Sequence, residues 1–318
     1  MYRKHFALTR HPFAKDLAAE DLFMSASAKE WEVRLRYLLD LCGIGLVTGE
    51  PGGGKTTVTR KVVSTLHTGL FRVFYVALST GNVMDLYKMI AWELGLATQR
   101  SRAALYSCIR TEVTRLCQES KVRPLLIIDE AHRLRSDVLE ELRLLTNYQM
   151  DSENRLCLLF IGQAELRRRL SMAVHEALSQ RIIVRHHLAG LTRDELPPYL
   201  AHLLRLAGCE IPLFEPAAME AIYQATNGLL RKVNSLAHHA LIAAAMTSRR
   251  TTIDLSYLTA EEALLIFEVL SDIASVIWEA HEPEIGELAG LPTLHRYDLD
   301  DRDAAIADDP DLDDRLPF

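Results

Sequence analysis

The chain has 318 residues, 49% of them hydrophobic and 25% charged, with a formal net charge of −7. That is the composition of an ordinary globular protein of one or two domains, with enough chain to bury its own core without staples. The five cysteines, Cys42, Cys108, Cys117, Cys157 and Cys209, are odd in number and form no C-x-x-C pair, which fits reduced thiols in a cytoplasm and argues against a disulfide framework or a zinc site.

Residues 1–30 show little periodicity and read as a basic N-terminal arm, without the apolar core of a signal peptide. Helical spacing begins near Glu30 and runs to Cys42, with Trp31, Leu35, Leu38, Leu39 and Leu41 on the apolar side. Ile44–Thr48 is a short apolar strand, Gly49–Gly54 a glycine-rich turn, and Lys55 opens a helix reaching about Leu66. A second strand is expected over Phe71–Leu78, then helices over Val83–Leu94 and Ala103–Ser120. The third strand, Pro124–Asp129, is an unbroken apolar run of the kind that parallel strands buried on both faces display. A helix over Asp137–Tyr148, a strand over Leu156–Gly162 and a shorter strand over Arg181–His187 follow. Strands alternating with helices indicate an α/β domain with a mostly parallel sheet.

After Leu188 the pattern becomes helical: Thr192–Ala207, Pro216–Ala225 and Arg231–Ser248, with Thr192 as the N-cap before Asp194 and Glu195. Ala263–Trp278 is interrupted by Glu268, Ser271, Asp272 and Ser275, so it reads as an amphipathic helix and no membrane span is expected. Residues 298–318 hold nine Asp against two Arg, which accounts for the whole net charge of −7. The expected plan is an arm at 1–30, an α/β domain at 31–190, a small all-α subdomain at 191–270 and an acidic, partly disordered tail at 271–318.

Gly49-Glu50-Pro51-Gly52-Gly53-Gly54-Lys55-Thr56 fits G-x-x-x-x-G-K-[ST] in full, between a strand and a helix. Glycines let backbone N–H groups approach phosphates, and the following helix points its N-terminus at the anion. Lys55 is placed to reach the β- and γ-phosphates of ATP, Thr56 to hold Mg2+, and Thr57 continues the nucleotide-binding turn. The strand at Leu125–Ile128 ends in Asp129 and Glu130. Asp129 is the second magnesium residue, and Glu130 the general base that orients the attacking water. Gln163, after the fourth strand, is a candidate for the γ-phosphate or that water. Arg231 sits at the start of a lid helix, and Arg181 precedes the fifth strand. One such arginine can act in cis and the other on a neighbour's ATP, with Arg185 as the alternative for the second role. His186-His187 and His238-His239 are adjacent in sequence, point different ways and read as structural.

These residues resemble the AAA+ ATPases of the ExeA type. The likeness runs from residue 1 to about residue 265, through GEPGGGKTT, IIDEAHRL at Ile127–Leu134, FIGQAEL at Phe160–Leu166, LSQRIIVRHHL at Leu178–Leu188 and NGLLRKVNSLAHHAL at Asn227–Leu241. The resemblance implies an AAA+ P-loop core, a helical lid, and ring or helical homo-oligomers. It also implies a sensor role for Gln163, an arginine-finger role for Arg181 and a second-sensor role for Arg231. Secretion-type members add a membrane span and a wall-binding region. The expectation here is the other branch, similar to the TnsC, TniB, IstB and MuB ATPases of transposons. Those bind double-stranded DNA and work with a transposase or target-selection protein.

Candidate DNA-facing cations are Lys88, Arg100, Arg102, Arg110 and Arg167, contacting phosphates with little sequence preference. The expected function is therefore an ATP-dependent DNA-binding ATPase that regulates a transposase. The alternatives are a secretion-associated ATPase or a nucleotide-switch signalling ATPase.

Overall fold

A computed structural model describes residues 2–14, 17–77 and 82–246. The amphipathic stretch 263–278 and the acidic tail lie outside the described residues. The described residues fall into two compact units: Ala7–Glu210 with Thr226–Ser235, and residues 2–6 with Ile211–Ala225 and 236–246.

The larger unit is built on five strands: β1 (Ile44–Thr48), β2 (Phe71–Ala77), β3 (Arg123–Asp129), β4 (Cys157–Gly162) and β5 (Ile182–His187). Their order is β2-β3-β4-β1-β5, and every neighbouring pair is parallel. The burial of each strand follows from that order. Every residue of β1 and β4 is buried, as is all of β3 after Arg123. The edge strand β5 alternates buried and exposed side chains, and β2 on the other edge is half open to solvent. Unbroken apolar runs therefore mark the centre of the sheet and alternation marks its rim.

The helices are α1 (Tyr2–His5), α2 (Ala26–Leu41), α3 (Lys55–Ser64), α4 (Val83–Glu93), α5 (Arg102–Gln118), α6 (Ser136–Leu145), α7 (Ala164–Leu170), α8 (Glu176–Arg181), α9 (Leu196–Leu206), α10 (Pro216–Thr226) and α11 (Leu230–Met246). On one face of the sheet, α2 and α3 pack Trp31, Leu35, Leu38, Val58 and Val62 against Leu125, Ile127, Leu159 and Ile161. Trp31 is fully buried and donates its indole N–H to Thr59 Oγ1 at 3.1 Å. On the other face, α4, α5 and α6 pack Leu86, Ile90, Leu105, Ile109, Leu139 and Leu142 against Phe74, Leu126, Ile128 and Phe160.

Several boundaries differ from the sequence expectation. Helix α2 starts at Ala26 rather than Glu30, because Ser25 caps it by accepting the Ala28 N–H. Helix α6 stops at Leu145, three residues before Tyr148. Arg181 closes α8 instead of opening β5. The short helices α7 and α8 were not expected at all; at seven and six residues they are too brief to show a period. Thr192 does cap the next helical stretch, through a reciprocal capping box with Glu195, but the first turn is 3-10 and α9 follows it. In the smaller unit, Tyr2 and His238 are hydrogen-bonded at 3.0 Å, and the rings of His238 and His239 meet edge to face.

Candidate nucleotide site

The glycine loop leaves β1 and turns into α3 through two left-handed glycines, Gly52 at φ 80° and Gly54 at φ 89°. A side chain on Gly52 has no room, since its Cβ would stand 2.6 Å from Arg231 Cβ. The loop also carries the Arg231 backbone, whose N–H donates to Gly52 O at 3.2 Å. Glu50 and Pro51 are exposed at the outer bend, and Gly53 is buried. Thr57 is exposed in the first turn of α3.

Lys55 folds back on this loop and donates to Gly49 O and Glu50 O, both at 2.9 Å. Burial, the largest influence, lowers the pKa of its ammonium; the carboxylates of Glu130, Asp129 and Glu50 oppose that shift. The ammonium is thus held by loop carbonyls that an incoming phosphate can replace.

Asp129 at the end of β3 is 5% exposed. Its Oδ1 accepts the Glu130 N–H at 2.8 Å, and its Oδ2 accepts both Thr56 Oγ1 and Tyr75 Oη at 2.7 Å. Glu130 follows in a left-handed conformation, φ 54°, which is strained for a residue with a Cβ. That turn carries its carboxylate away from the buried strand end to a half-exposed position, with Oε2 3.6 Å from His132 Nε2.

Gln163 is half-buried at the N-terminus of α7. It follows Gly162, which pairs with Thr48 in the sheet, so the register sets Gln163 beside Gly49. The fold therefore brings together the glycine loop, Lys55, Thr56, Asp129, Glu130, Gln163 and Arg231. Arg181 is elsewhere engaged: its guanidinium pairs with Asp151 and lies near Glu140. Arg185 donates to Ser179 O and Oγ at 2.6 and 2.8 Å.

Two residues at the site were not singled out from the sequence. Tyr75 reaches Asp129 from β2; burial, then the bond to Asp129, pushes its hydroxyl far above the usual phenol value, so it remains a donor. His132 lies beside Glu130, and its buried Nδ1 has no hydrogen-bond partner among the described residues. The acidic strand end and D-E-A-H pattern were visible signals for His132. Tyr75 gave no such signal, because its contact depends on β2 lying beside β3.

Thr56 and Asp129 are hard oxygen donors 2.7 Å apart at the mouth of a glycine loop, a donor set that suits Mg2+. Among the described residues no group of three or more His, Cys, Asp or Glu side chains forms another metal cluster. No described helix is long and apolar enough to cross a membrane.

The candidate DNA-facing cations are dispersed. Lys88 on α4, Arg100 before α5 and Arg167 on α7 are exposed. Arg102 pairs with Glu141, which also accepts the Tyr87 hydroxyl. Arg110 lies 4.1 Å over the Tyr148 ring. Arg169, next to Arg167, donates to His132 O and Leu134 O at 2.5 and 2.6 Å and so braces the turn after Glu130.

Comparison with known proteins gives the chain relatives. Residues 39–170 match the AAA domain family. The chain is 34% identical over 247 residues to general secretion pathway protein A of Aeromonas hydrophila, a match covering 77% of this chain and 45% of that protein. It thus spans about half the length of that relative. In structure it is similar to Cdc6p from Pyrobaculum aerophilum, with a TM-score of 0.59 and 18% identity, covering 93% of this chain and 89% of the other. It is also similar to the Aeropyrum pernix ORC1 protein in complex with DNA, with a TM-score of 0.56 and 16% identity, covering 93% and 86%. At these identities the structural likeness speaks to the fold.

Proposed function

The chain carries an AAA ATPase core, and from that premise we propose that it hydrolyses ATP to ADP and phosphate at the end of β1 and β3, as an ATPase of the secretion-associated type. The carrying observation for the chemistry is the 2.7 Å contact between Thr56 of α3 and Asp129 of β3. It supports the reading because the two oxygens proposed to hold magnesium lie side by side at the N-terminus of a helix that follows a glycine loop.

Phosphates are bound by the backbone N–H groups of Gly52–Thr56 and by Lys55, which exchanges the carbonyls of Gly49 and Glu50 for phosphate oxygens. Thr56 and Asp129 would hold magnesium, which would supply charge to offset that of the β- and γ-phosphates. Glu130 orients the attacking water and takes its proton. Gln163, between β4 and α7, and Arg231 of α11 flank the γ-phosphate. Arg181, held by Asp151 away from this chain's own loop, is suited to a neighbouring copy's nucleotide within a homo-oligomer.

The test is Glu130→Gln. Nucleotide binding is retained and turnover falls by roughly 10²–10⁴-fold; unchanged turnover removes Glu130 as the base.

For the cellular role, 34% identity to general secretion pathway protein A supports a secretion-associated reading, whose expected partner is in the cell envelope. Co-fractionation with the cell envelope checks this, and a chain found entirely free of it counts against the role. The DNA-binding, transposase-regulating role comes second. It rests on the exposed Lys88, Arg100 and Arg167, and none of the relatives above is a transposition protein. Anisotropy with duplex DNA, without nucleotide, with ADP and with a non-hydrolysable ATP analogue, separates the two.

A further inference from the structure

Asp129 Oδ2 is shared by hydroxyls from two different elements, Thr56 of α3 and Tyr75 of β2, each at 2.7 Å. With Oδ1 taken by the Glu130 N–H at 2.8 Å, the carboxylate is fixed from three directions. The three donors are not equivalent. A backbone N–H cannot leave Asp129, and the Thr56 hydroxyl is a hard oxygen that a cation can recruit as a ligand. The Tyr75 hydroxyl sits at the end of a rigid ring anchored to the strand next to β3, with Tyr75 paired to Ile127 and Ala77 to Asp129. Packing does not require a tyrosine there. The core on one face of β2 is made by Phe74 and Val76, whereas Tyr75 is 42% exposed. Its hydroxyl nevertheless turns to the one buried carboxylate of the site.

We propose that Tyr75 is a positioning residue for magnesium: it holds Asp129 Oδ2 turned toward Thr56 in the presence and absence of the ion, so the cation meets a carboxylate already aimed. When Thr56 turns to the ion, the Tyr75 bond remains and keeps the carboxylate from rotating away. This inference rests on Thr56 and Asp129 being the magnesium residues. Partners that orient a metal's carboxylate or imidazole ligand typically carry 10–100-fold of metal affinity.

The test uses the full chain and Tyr75→Phe, which keeps the ring and removes only the hydroxyl. Binding of a fluorescent ATP analogue is followed by anisotropy, first in EDTA and then across a magnesium titration, with thermal melting measured in parallel. The half-saturating magnesium concentration is expected to rise about tenfold or more. Affinity in EDTA and the melting temperature stay as in the unsubstituted protein, and kcat recovers when magnesium is raised. An unchanged magnesium midpoint overturns the proposal. So does an equal loss of binding in EDTA and in magnesium, which would show Tyr75 to support the fold. If the unsubstituted protein binds the analogue with no response to magnesium, the magnesium reading of Thr56 and Asp129 falls as well; that result is seen without any substitution.

Discussion

The carboxylate at the end of β3 and the cations on or beside α4, α5 and α7 are charges of one α/β unit, yet the fold treats them in opposite ways. Asp129 is 5% exposed and receives donors from α3, from β2 and from the following backbone N–H. Lys88, Arg100 and Arg167 stand in solvent, and Arg102 and Arg110 each lean on neighbours within the core domain. A buried charge is costly unless several partners meet it. An exposed charge costs almost nothing to keep, and its presence says correspondingly little. Convergence of groups from separate elements therefore points to chemistry, and dispersed surface cations do not.

The largest effect is expected where that convergence is broken at Lys55. Lys55→Ala removes charge-assisted bonds worth about 1.5–3 kcal/mol each. ATP affinity should fall at least about 100-fold when two such bonds to phosphate are lost. Anisotropy with a fluorescent ATP analogue reads this directly. Arg167→Ala, on the dispersed side, should leave the same titration unmoved. A Lys55→Ala protein that binds within a fewfold of the original would mean that Lys55 serves only the loop carbonyls of Gly49 and Glu50.

Gly52 of the loop has a matched counterpart in Gly95, which follows α4. Gly52 and Gly95 have nearly the same left-handed angle, φ 80° and φ 77°. A Cβ on Gly52 would meet Arg231 Cβ at 2.6 Å, but one on Gly95 has nothing within 4 Å. Gly95→Ala therefore carries only the dihedral penalty, about 1–2 kcal/mol of stability, with nucleotide binding intact. Gly52→Ala adds displacement of the loop from Arg231, and ATP affinity should drop by roughly tenfold, on the scale of one hydrogen bond to a charged group. Equal behaviour of the two variants in the binding assay would show that contact with Arg231 does not shape the loop.

Much of this arrangement is legible without coordinates, and the gaps have physical causes. The strands β1, β3 and β4 announce themselves because a central parallel strand must be apolar throughout. The loop and its two following residues are readable because phosphate binding demands glycine, lysine and a hydroxyl at fixed spacing. The start of α2 was missed since its first turn, Ala26–Lys29, has no large apolar residue and is held by the Ser25 cap. Helices α7 and α8 are shorter than two full turns or barely reach them, too few residues to repeat a pattern. Tyr75 was hidden for a different reason. Its contact with Asp129 exists only once β2 lies parallel to β3 in the observed register, and no local pattern encodes that pairing. The ion pair of Arg181 with Asp151 is long-range in the same sense.

A smaller effect is expected from two histidines whose proton affinity the fold lowers. Burial is the largest cause lowering the pKa of both His175 and His186. Arg169 adds to it at His175, where Glu140 opposes; at His186, Glu30 and the bond to Ser27 oppose, and Arg34 and His187 add. His186 stacks on Trp31 with ring centroids 5.8 Å apart and lies 3.1 Å from Ser27 O. With folded values below the unfolded value of about 6.5, the unfolded chain binds more protons as the solution acidifies. The stabilising contribution is thus present above pH ~6.5 and lost as pH falls toward the folded values, with a slope of at most about 1.4 kcal/mol per pH unit for each histidine. Urea midpoints at three pH values between about 7.5 and 5.5 measure it, and His186→Gln should flatten the curve. A midpoint independent of pH in that window would mean that both rings accept a proton in place.

The smallest effect is expected at the dispersed cations, and it is the one that decides between the two cellular roles. A phosphate contact contributes about 0.9 to the slope of log affinity against log salt on duplex DNA. Replacing Lys88 and Arg100 together by Ala removes about two contacts if both face a duplex, so the slope should fall by roughly 1.8. On the envelope-associated reading these side chains touch only solvent, and whatever weak DNA binding exists should keep its slope. ATP hydrolysis should be untouched in either case, because neither residue belongs to the group gathered around Asp129. A slope that falls by about two contacts, and only with an ATP analogue bound, would place DNA along α4 and the start of α5. Dispersed charges would then have carried function after all, by acting in series along a duplex rather than by converging on a point.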